Sequence, residues 1–186
     1  MKVSREQMAE NRQRILDAAG ELFRAKGFES VSVAEVMKAA GLTHGGFYGH
    51  FSSKDDLVAQ TLSHVFCTTA EGAGSLDDFL KTYLSALHRD NPAAGCPTAG
   101  LAADVRYQAP AARQAMADGV AAQIDRISHL LPDRDAAQAR RAAIGIWSAM
   151  VGTVILSRAV GEGALSDEIL QQTLGWIKGR DNPPED

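Results

Sequence analysis

The sequence has few cysteines, few aromatic residues and no long uninterrupted hydrophobic run. Only two cysteines, Cys67 and Cys96, occur in 186 residues. They are too few for a disulfide framework and lack the paired spacing of a zinc site. We therefore expect two free thiols, no metal and no cofactor, which suits a reducing cytoplasm.

From the sequence we also expect no targeting segment and no membrane-spanning segment. The chain does not open with a basic stretch followed by an apolar core and a small-residue cleavage site, so no signal peptide is predicted. The most apolar stretch, 142–157, contains serine and threonine. It is shorter than the roughly 20 residues that a membrane-spanning helix needs. We expect a cytoplasmic protein without a membrane partner.

Positive charge is scarce overall and concentrated at one end. The 19 Lys and Arg residues are outnumbered by 23 Asp and Glu residues, which excludes a general attraction to nucleic acid. Residues 1–26, however, include six basic and four acidic side chains. Any DNA-binding surface is therefore expected at the amino-terminal end.

Helical periodicity dominates the chain. Aromatic residues make up only 6% of the sequence, and no segment shows the sustained alternation of a strand. The sequence predicts an all-α fold of about nine helices. An amino-terminal three-helix helix-turn-helix head would be followed by a carboxy-terminal helical bundle. We place the DNA-binding domain at 1–52, the ligand-binding and dimerisation domain at 53–180 with a connecting helix at 53–70, and a tail at 181–186.

Three serines with a suitable partner three positions later predict helix starts: Ser4 with Gln7, Ser32 with Glu35, and Ser53 with Asp56. The second helix ends at Gly41, and Thr43 starts another only two residues later. Two helices joined so closely must cross sharply, as in a helix-turn-helix. Further helices are predicted at 75–87, from Pro97, from Pro110 to Pro132, at 134–160 and at 167–178.

The segment from Thr43 to Lys54 is unusual for a core helix. Phe47 and Phe51 are four residues apart and share one face, whereas the other faces carry mainly glycine and hydrogen-bonding side chains. A short exposed helix of this composition fits the major groove of DNA.

Several motifs within Asn11–Leu62 resemble the TetR (tetracycline-repressor) family. They are the stretches Ser32-Val33-Ala34-Glu35-Val36, Ala40-Gly41-Leu42, Phe47-Tyr48 and His50-Phe51, together with Thr43, Gly45 and Lys54. The resemblance implies a bacterial homodimer that reads a palindromic DNA operator through two heads. It also implies a helical domain that binds a small-molecule inducer, and no enzyme activity.

The resemblance also implies residue roles. Positions matching Thr43, Gly45, Tyr48, His50 and Lys54 mostly hold the DNA backbone, and those matching His44 and Gly49 tune base choice. The predicted DNA-binding set is Ser32, Thr43, His44, Gly45, Tyr48, His50 and Lys54.

This chain departs from the family pattern at Gly46 and Gly49, where larger residues are usual. An internal glycine costs a helix about 1 kcal/mol relative to alanine. We therefore expect a recognition helix that makes few base contacts and gains order partly on binding DNA.

Two further sets of residues are predicted from the bundle. Tyr83, His88, Met116, Trp147 and Met150 could line an inducer cavity, although such residues more often form plain core. Ile144, Val151, Val154, Ile155, Arg158, Ile169 and Leu170 could form a two-fold dimer interface, the alternative being an intramolecular core.

The predicted function is a ligand-responsive transcriptional repressor that an inducer releases from DNA. One alternative is a redox or electrophile sensor acting through Cys96, which precedes Pro97 at a helix start, where the positive end of the helix favours negative charge. No basic residue lies within five positions of Cys96, so an inert thiol competes with that interpretation. A helical protein that has lost DNA binding is the third possibility.

Overall fold

A computed structural model of the chain describes residues 4–69, 74–131 and 134–181, and these residues contain helices and no strand. The α-helices are α1 (Arg5–Lys26), α2 (Val33–Ala39), α3 (Lys54–Thr69), α4 (Leu76–Tyr83), α5 (Ala86–Asp90), α6 (Pro97–Val105), α7 (Pro110–His129), α8 (Ala136–Ala159) and α9 (Ala164–Asp181). Two short 3-10 helices span His44–Gly49 and Pro92–Ala94. The predicted all-α class is confirmed.

The predicted serine caps form in the structure. The Ser4 hydroxyl accepts the Gln7 amide at 3.1 Å, and the Ser32 hydroxyl accepts the Glu35 amide at 3.2 Å. At the start of α3, the Ser53 hydroxyl accepts the Asp56 amide at 3.0 Å. Each cap satisfies an amide that the helix itself leaves unpaired, which fixes where the helix begins.

Two predicted helices have different limits. The helix predicted at 75–87 is two helices, because Leu84 leaves helical geometry and the Ser85 hydroxyl starts α5 by accepting the His88 amide at 3.2 Å. The helix predicted at 167–178 begins at Ala164 and ends at Asp181, so residue 181 belongs to α9 instead of the tail predicted at 181–186. The predicted stop at Pro132 and the rest of that tail lie outside the described residues.

The chain forms two compact units. One comprises Met1–Ala70 and Pro92–Gly119, and the other Glu71–Asn91 and Val120–Asp186. In the first unit, α6 and the start of α7 join the helices of the predicted head. The functional division predicted at residue 52 therefore does not coincide with a compact unit, and it stays a prediction.

The first unit is built around α1, which packs against α2, α3 and α6. Its fully buried side chains include Ile15, Phe23, Phe28, Met37, Phe47, Phe51, Leu57 and Leu62. Helix α7 approaches α3 closely at Gly119, where a Cβ atom would lie 2.3 Å from the Phe66 ring. Glycine is therefore needed at this contact, since any side chain would push the ring away.

The second unit is organised by the neighbouring helices α8 and α9 and by Arg89. The largely buried Arg89 guanidinium donates to the Ser166 hydroxyl at 2.9 Å and to Asp167 at 2.6 Å. Ser166 in turn donates to the Ser157 carbonyl at 2.8 Å. These bonds connect α5, α8 and α9 and explain why α9 starts earlier than predicted.

Helix α8 is the one described helix long and apolar enough, by these two criteria, to cross a membrane. Core helices of soluble proteins meet the same criteria, so the observation is weak evidence for a membrane span. Here Ala143, Trp147, Met150 and Val154 of α8 are buried in the second unit.

Candidate nucleic-acid interface

A tight turn joins α2 to the 3-10 helix His44–Gly49, which we call the recognition helix. Gly41 has a φ of 69°, in the left-handed region that favours glycine. The Leu42 amide donates back to the Met37 carbonyl at 2.8 Å, which closes the end of α2. The chain thus reverses within three residues, and the predicted helix-turn-helix connection is present.

The recognition helix is a short 3-10 helix instead of an α-helix. The Gly46 amide donates to the Thr43 carbonyl at 3.0 Å, and the His50 amide donates to the Phe47 carbonyl at 2.9 Å. Glycine at 45, 46 and 49 contributes little to helix stability, so a short helix with i to i+3 bonds is the expected result.

Two phenylalanines anchor this helix in the first unit. Phe47 and Phe51 are 1% and 2% exposed, and their rings stack with centroids 5.7 Å apart. The prediction that these two residues share one face of the helix is therefore confirmed.

The opposite side of the recognition helix is open. Thr43, His44 and Gly45 are exposed, and the Tyr48 side chain is 73% exposed. No described heavy atom lies within 4 Å of the position that a Cβ atom would take at Gly45. The segment thus presents polar side chains and accessible backbone on a surface held from beneath by aromatic rings.

The remaining residues of the predicted DNA-binding set lie at helix ends. Ser32 precedes α2 and uses its hydroxyl as a cap, and Lys54 begins α3 half-buried. His50 follows the recognition helix. Partial burial and the nearby positive charge of Arg12 lower the pKa of His50, which favours the neutral imidazole. The roles assigned to this set stay predictions.

The predicted inducer residues do not all fall in one unit. Tyr83, His88, Trp147 and Met150 belong to the second unit, and Met116 belongs to the first. The Tyr83 ring lies 4.5 Å from the His88 ring and 5.4 Å from the Trp147 ring, between centroids. The structure therefore brings three of the five into one aromatic cluster. The Trp147 indole N–H is buried and finds no acceptor in the described part of the chain.

The predicted dimer interface needs a correction. Val154 and Leu170 are only 0% and 4% exposed, so they belong to the core of the second unit. The Arg158 guanidinium donates to the His88 and Arg89 carbonyls at 2.8 and 2.9 Å, which directs it inward. Ile144 and Ile155 are exposed, and Val151 and Ile169 are half-buried.

The surface of α8 and α9 carries further apolar side chains that the sequence did not single out. Leu156, Val160, Leu165 and Trp176 are all roughly half exposed. Helical periodicity alone could not separate them from core residues, because α8 is apolar on more than one face.

Cys67 is exposed and Cys96 is half-buried, and no disulfide joins the two. Cys96 directly precedes α6 without a side-chain capping bond, and it lies near Arg24, whose pKa is lowered by burial and raised in part by the charge of Glu21. The basic neighbour that the local sequence lacks is therefore supplied by α1. The sensor role of Cys96 stays an alternative prediction. Unchanged induction in Cys96→Ser would exclude it. Among the residues that the structure covers, no cluster of three metal-ligating side chains occurs.

Stability should depend on pH through His88. Burial lowers the pKa of His88, although the hydrogen bond of its Nδ1 atom with the Tyr83 carbonyl opposes the shift. The unfolded chain then binds more protons than the folded one below about pH 6.5. We expect the free energy of unfolding in urea to be level above pH 7 and to fall as pH is lowered through 6.5.

His88→Asn is the matched variant, since its amide can still donate to the Tyr83 carbonyl. Its stability should change less between pH 7 and 5 than that of the unmodified chain. The lowered pKa values of Glu35, Asp56, Asp77 and Asp90 act mainly below about pH 4.5, outside this window. The lowered pKa of His50 acts inside it, but equally in both proteins, so the difference between them reports His88. An identical pH dependence in both proteins would show that His88 is not responsible.

Comparisons with known proteins agree with this geometry. The sequence profile described as bacterial regulatory proteins, tetR family, matches residues 15–61. The HTH-type transcriptional regulator AcrR of Shigella flexneri is 44% identical over 57 residues, which are 31% of this chain and 26% of that protein. The chain thus spans well under half the length of the curated relatives that it matches.

Solved structures extend the likeness to the whole fold. The reduced form of E. coli NemR covers 91% of this chain and 95% of its own, with a TM-score of 0.74 at 21% identity. A putative transcriptional regulator of the TetR/AcrR family covers 92% of this chain and 98% of its own, with a TM-score of 0.72 at 25% identity. The helix-turn-helix region, residues 15–61, thus matches the tetR family of bacterial regulatory proteins in sequence, and the chain shares the fold of solved regulators described as TetR-family members.

Proposed function

We propose that this chain is a ligand-responsive transcriptional repressor of the bacterial cytoplasm. In this proposal it binds a palindromic DNA operator as a homodimer, and a small-molecule inducer releases it. The observation that carries the proposal is the exposed recognition helix, which presents Thr43, His44, Gly45 and Tyr48 outward above the buried Phe47 and Phe51. A polar helix on a rigid apolar support suits insertion into the major groove.

Contacts to the DNA backbone account for most of the proposed affinity. Thr43, Tyr48 and Lys54 offer hydroxyl and ammonium donors around the recognition helix, and the neutral His50 imidazole offers one N–H. Phosphate contacts of this kind set the register and orientation of a protein on DNA. The glycines leave His44 and Tyr48 as the main side chains for reading bases.

The apolar surface of α8 and α9 is the proposed dimer interface. Ile144, Ile155 and Leu156 are 45%, 41% and 57% exposed on α8. At Gly145 and Gly152 on the same helix, a Cβ atom would meet no described atom within 4 Å, so a second helix could approach closely there. A groove of about 550 Å³ between α8 and α9 adds further contact area. Helices paired across a two-fold axis would cover this surface in both subunits.

Inducer and operator are proposed to compete through one conformational equilibrium of the dimer. Operator binding requires two recognition helices about 34–36 Å apart, one turn of B-DNA. A ligand that prefers a dimer with a different spacing of the two helices lowers the affinity for the operator. Bound DNA lowers the affinity for the ligand by the same factor, because the coupling free energy is shared. The aromatic cluster of Tyr83, His88 and Trp147 is the proposed inducer region, and the unpaired Trp147 N–H gives it one hydrogen-bond donor.

Lys54→Ala tests the proposed backbone contacts. Loss of a phosphate contact should weaken binding to every duplex by a similar factor. It should also reduce the slope of log affinity against log salt by about one unit per recognition helix. Fluorescence anisotropy across a salt series measures both quantities.

Lys178→Ala is the control, because it removes the same charge from α9 in the second unit. It should leave the salt slope unchanged. If Lys54→Ala instead relaxes the preference between duplex sequences at an unchanged slope, the lysine contacts bases and its assigned role is wrong.

A further inference from the structure

We propose that two arginines of α1, Arg14 and Arg12, hold the recognition helix at its two ends and so set the orientation of the DNA-reading surface. The inference rests on the proposed DNA-binding function and assigns to α1 a positioning role. Neither arginine belongs to the predicted DNA-binding set.

Arg14 holds the turn that precedes the recognition helix. Its Nη2 atom donates to the Ala40 carbonyl at 2.5 Å, and Ala40 is the capping residue that directly follows α2. Carbonyl groups at the end of a helix lack helical partners and carry partial negative charge, so a guanidinium there is favourable. A Cβ atom at Gly41 would lie 2.7 Å from the same nitrogen, so the glycine also makes room for the guanidinium.

Arg12 holds the segment that follows the recognition helix. Its guanidinium carbon lies 4.7 Å from the centroid of the Phe51 ring, within the range of a cation–π contact. The same positive charge contributes to the lowered pKa values of His50 and Asp56, so it lies close to both residues. Arg12 thus contacts the residues that follow the recognition helix, and Arg14 contacts the turn that precedes it.

The recognition helix needs such external support. It has only six residues, and three of them are glycine. A helix this short cannot hold its own conformation, because too few hydrogen bonds compensate the entropy of ordering it. Contacts with the 22-residue α1 restrict the movement of the short helix. Arg14 then affects DNA affinity through the angle of the recognition helix, without itself contacting a phosphate.

The test compares Arg14→Met with Arg14→Lys in the full chain. The probes are a duplex that the unmodified protein selects from randomised DNA and a scrambled duplex of the same length. Arg14→Met should bind the selected duplex about tenfold more weakly, as expected for loss of a charge-assisted hydrogen bond, and the scrambled duplex within about twofold. The salt slope should not change, and Arg14→Lys, which keeps a donor, should recover part of the loss.

Arg113→Met is the control, since Arg113 is an exposed arginine of α7 in the same unit. It should behave like the unmodified protein. An equal loss on both duplexes with a smaller salt slope would overturn the inference by making Arg14 a direct phosphate contact. Unchanged affinity in Arg14→Met, or no recovery in Arg14→Lys, would overturn it as well.

Thermal unfolding of each variant shows whether the protein is folded at the assay temperature. If Arg14→Met does not fold, Arg14→Gln, which is shorter and neutral and so loses the charge-assisted hydrogen bond, is read in the same assay with the same expectations. If the unmodified protein selects no sequence from randomised DNA, the proposed DNA-binding function itself is wrong. That result is distinct from a protein that selects a sequence and is insensitive to Arg14.

Discussion

Phe47→Ala is expected to destabilise the first unit by about 3–5 kcal/mol and to abolish sequence-specific DNA binding. The Phe47 ring is 1% exposed and stacks on Phe51, so alanine leaves a cavity directly beneath the recognition helix. Without that anchor, a six-residue helix with three glycines has no fixed position over the DNA. Urea unfolding followed by circular dichroism measures the first effect, and anisotropy with a selected duplex measures the second.

The neighbouring aromatic residue provides the matched comparison. Tyr48 is 73% exposed, so Tyr48→Ala should change stability by no more than about 0.5 kcal/mol. It should nevertheless weaken DNA binding, because the proposed contact is lost while the support remains. Two adjacent substitutions are thus expected to separate stability from recognition. A loss below about 1 kcal/mol for Phe47→Ala would contradict the anchoring role of the ring.

Leu156→Glu is expected to convert the dimer to a monomer and to lower operator affinity by at least about 100-fold. The Leu156 side chain is 57% exposed on the proposed α8–α9 interface, where a two-fold axis would bring two new carboxylates into one apolar contact. Burying such charges without partners is strongly unfavourable. A monomer engages one half-site only and loses the gain from binding two half-sites together.

Leu87→Glu is the matched control for this effect. Leu87 lies on α5 in the same unit and is 76% exposed, so the substitution introduces the same charge at an exposed residue that the proposed interface does not include. Sedimentation velocity should show a dimer for Leu87→Glu and a monomer for Leu156→Glu. If both variants remain dimers with unchanged operator affinity, the interface lies elsewhere on the chain.

Local signals in the sequence were sufficient to predict most of the helix starts. A serine cap and an amide three residues later interact within one turn, so the caps at Ser4, Ser32 and Ser53 depend on little else. The split between α4 and α5 escaped the periodicity because Leu84 and Leu87 continue the apolar pattern across the break. Ser85 was the available signal, as a helix cap inside an apparent helix.

The sequence was sufficient to predict the buried and exposed sides of the recognition helix, but not the contacts from α1 that hold it. Spacing alone placed Phe47 and Phe51 on one buried side and Tyr48 on the other. The bond from Arg14 to the Ala40 carbonyl joins residues 26 positions apart, so no local pattern could reveal it. The proximity of Arg24 to Cys96 likewise depends on packing within the first unit and is invisible in the surrounding residues.

The bundle was the hardest part to interpret because buried and exposed apolar residues alternate around α8. Val154 and Ile155 are sequence neighbours and equally apolar, yet one is 0% and the other 41% exposed. The sequence pattern could therefore indicate an apolar helix without distinguishing its core face from a surface that another subunit would cover.

The most direct test is to let the unmodified protein select duplexes from randomised DNA at moderate salt and to sequence the bound fraction. The proposal predicts enrichment of a palindromic motif whose half-sites are centred about one helical turn apart. Phe47→Ala should enrich no motif in the same experiment. Recovery of unrelated sequences by the unmodified, folded protein would contradict the assignment of the recognition helix as a reader of DNA.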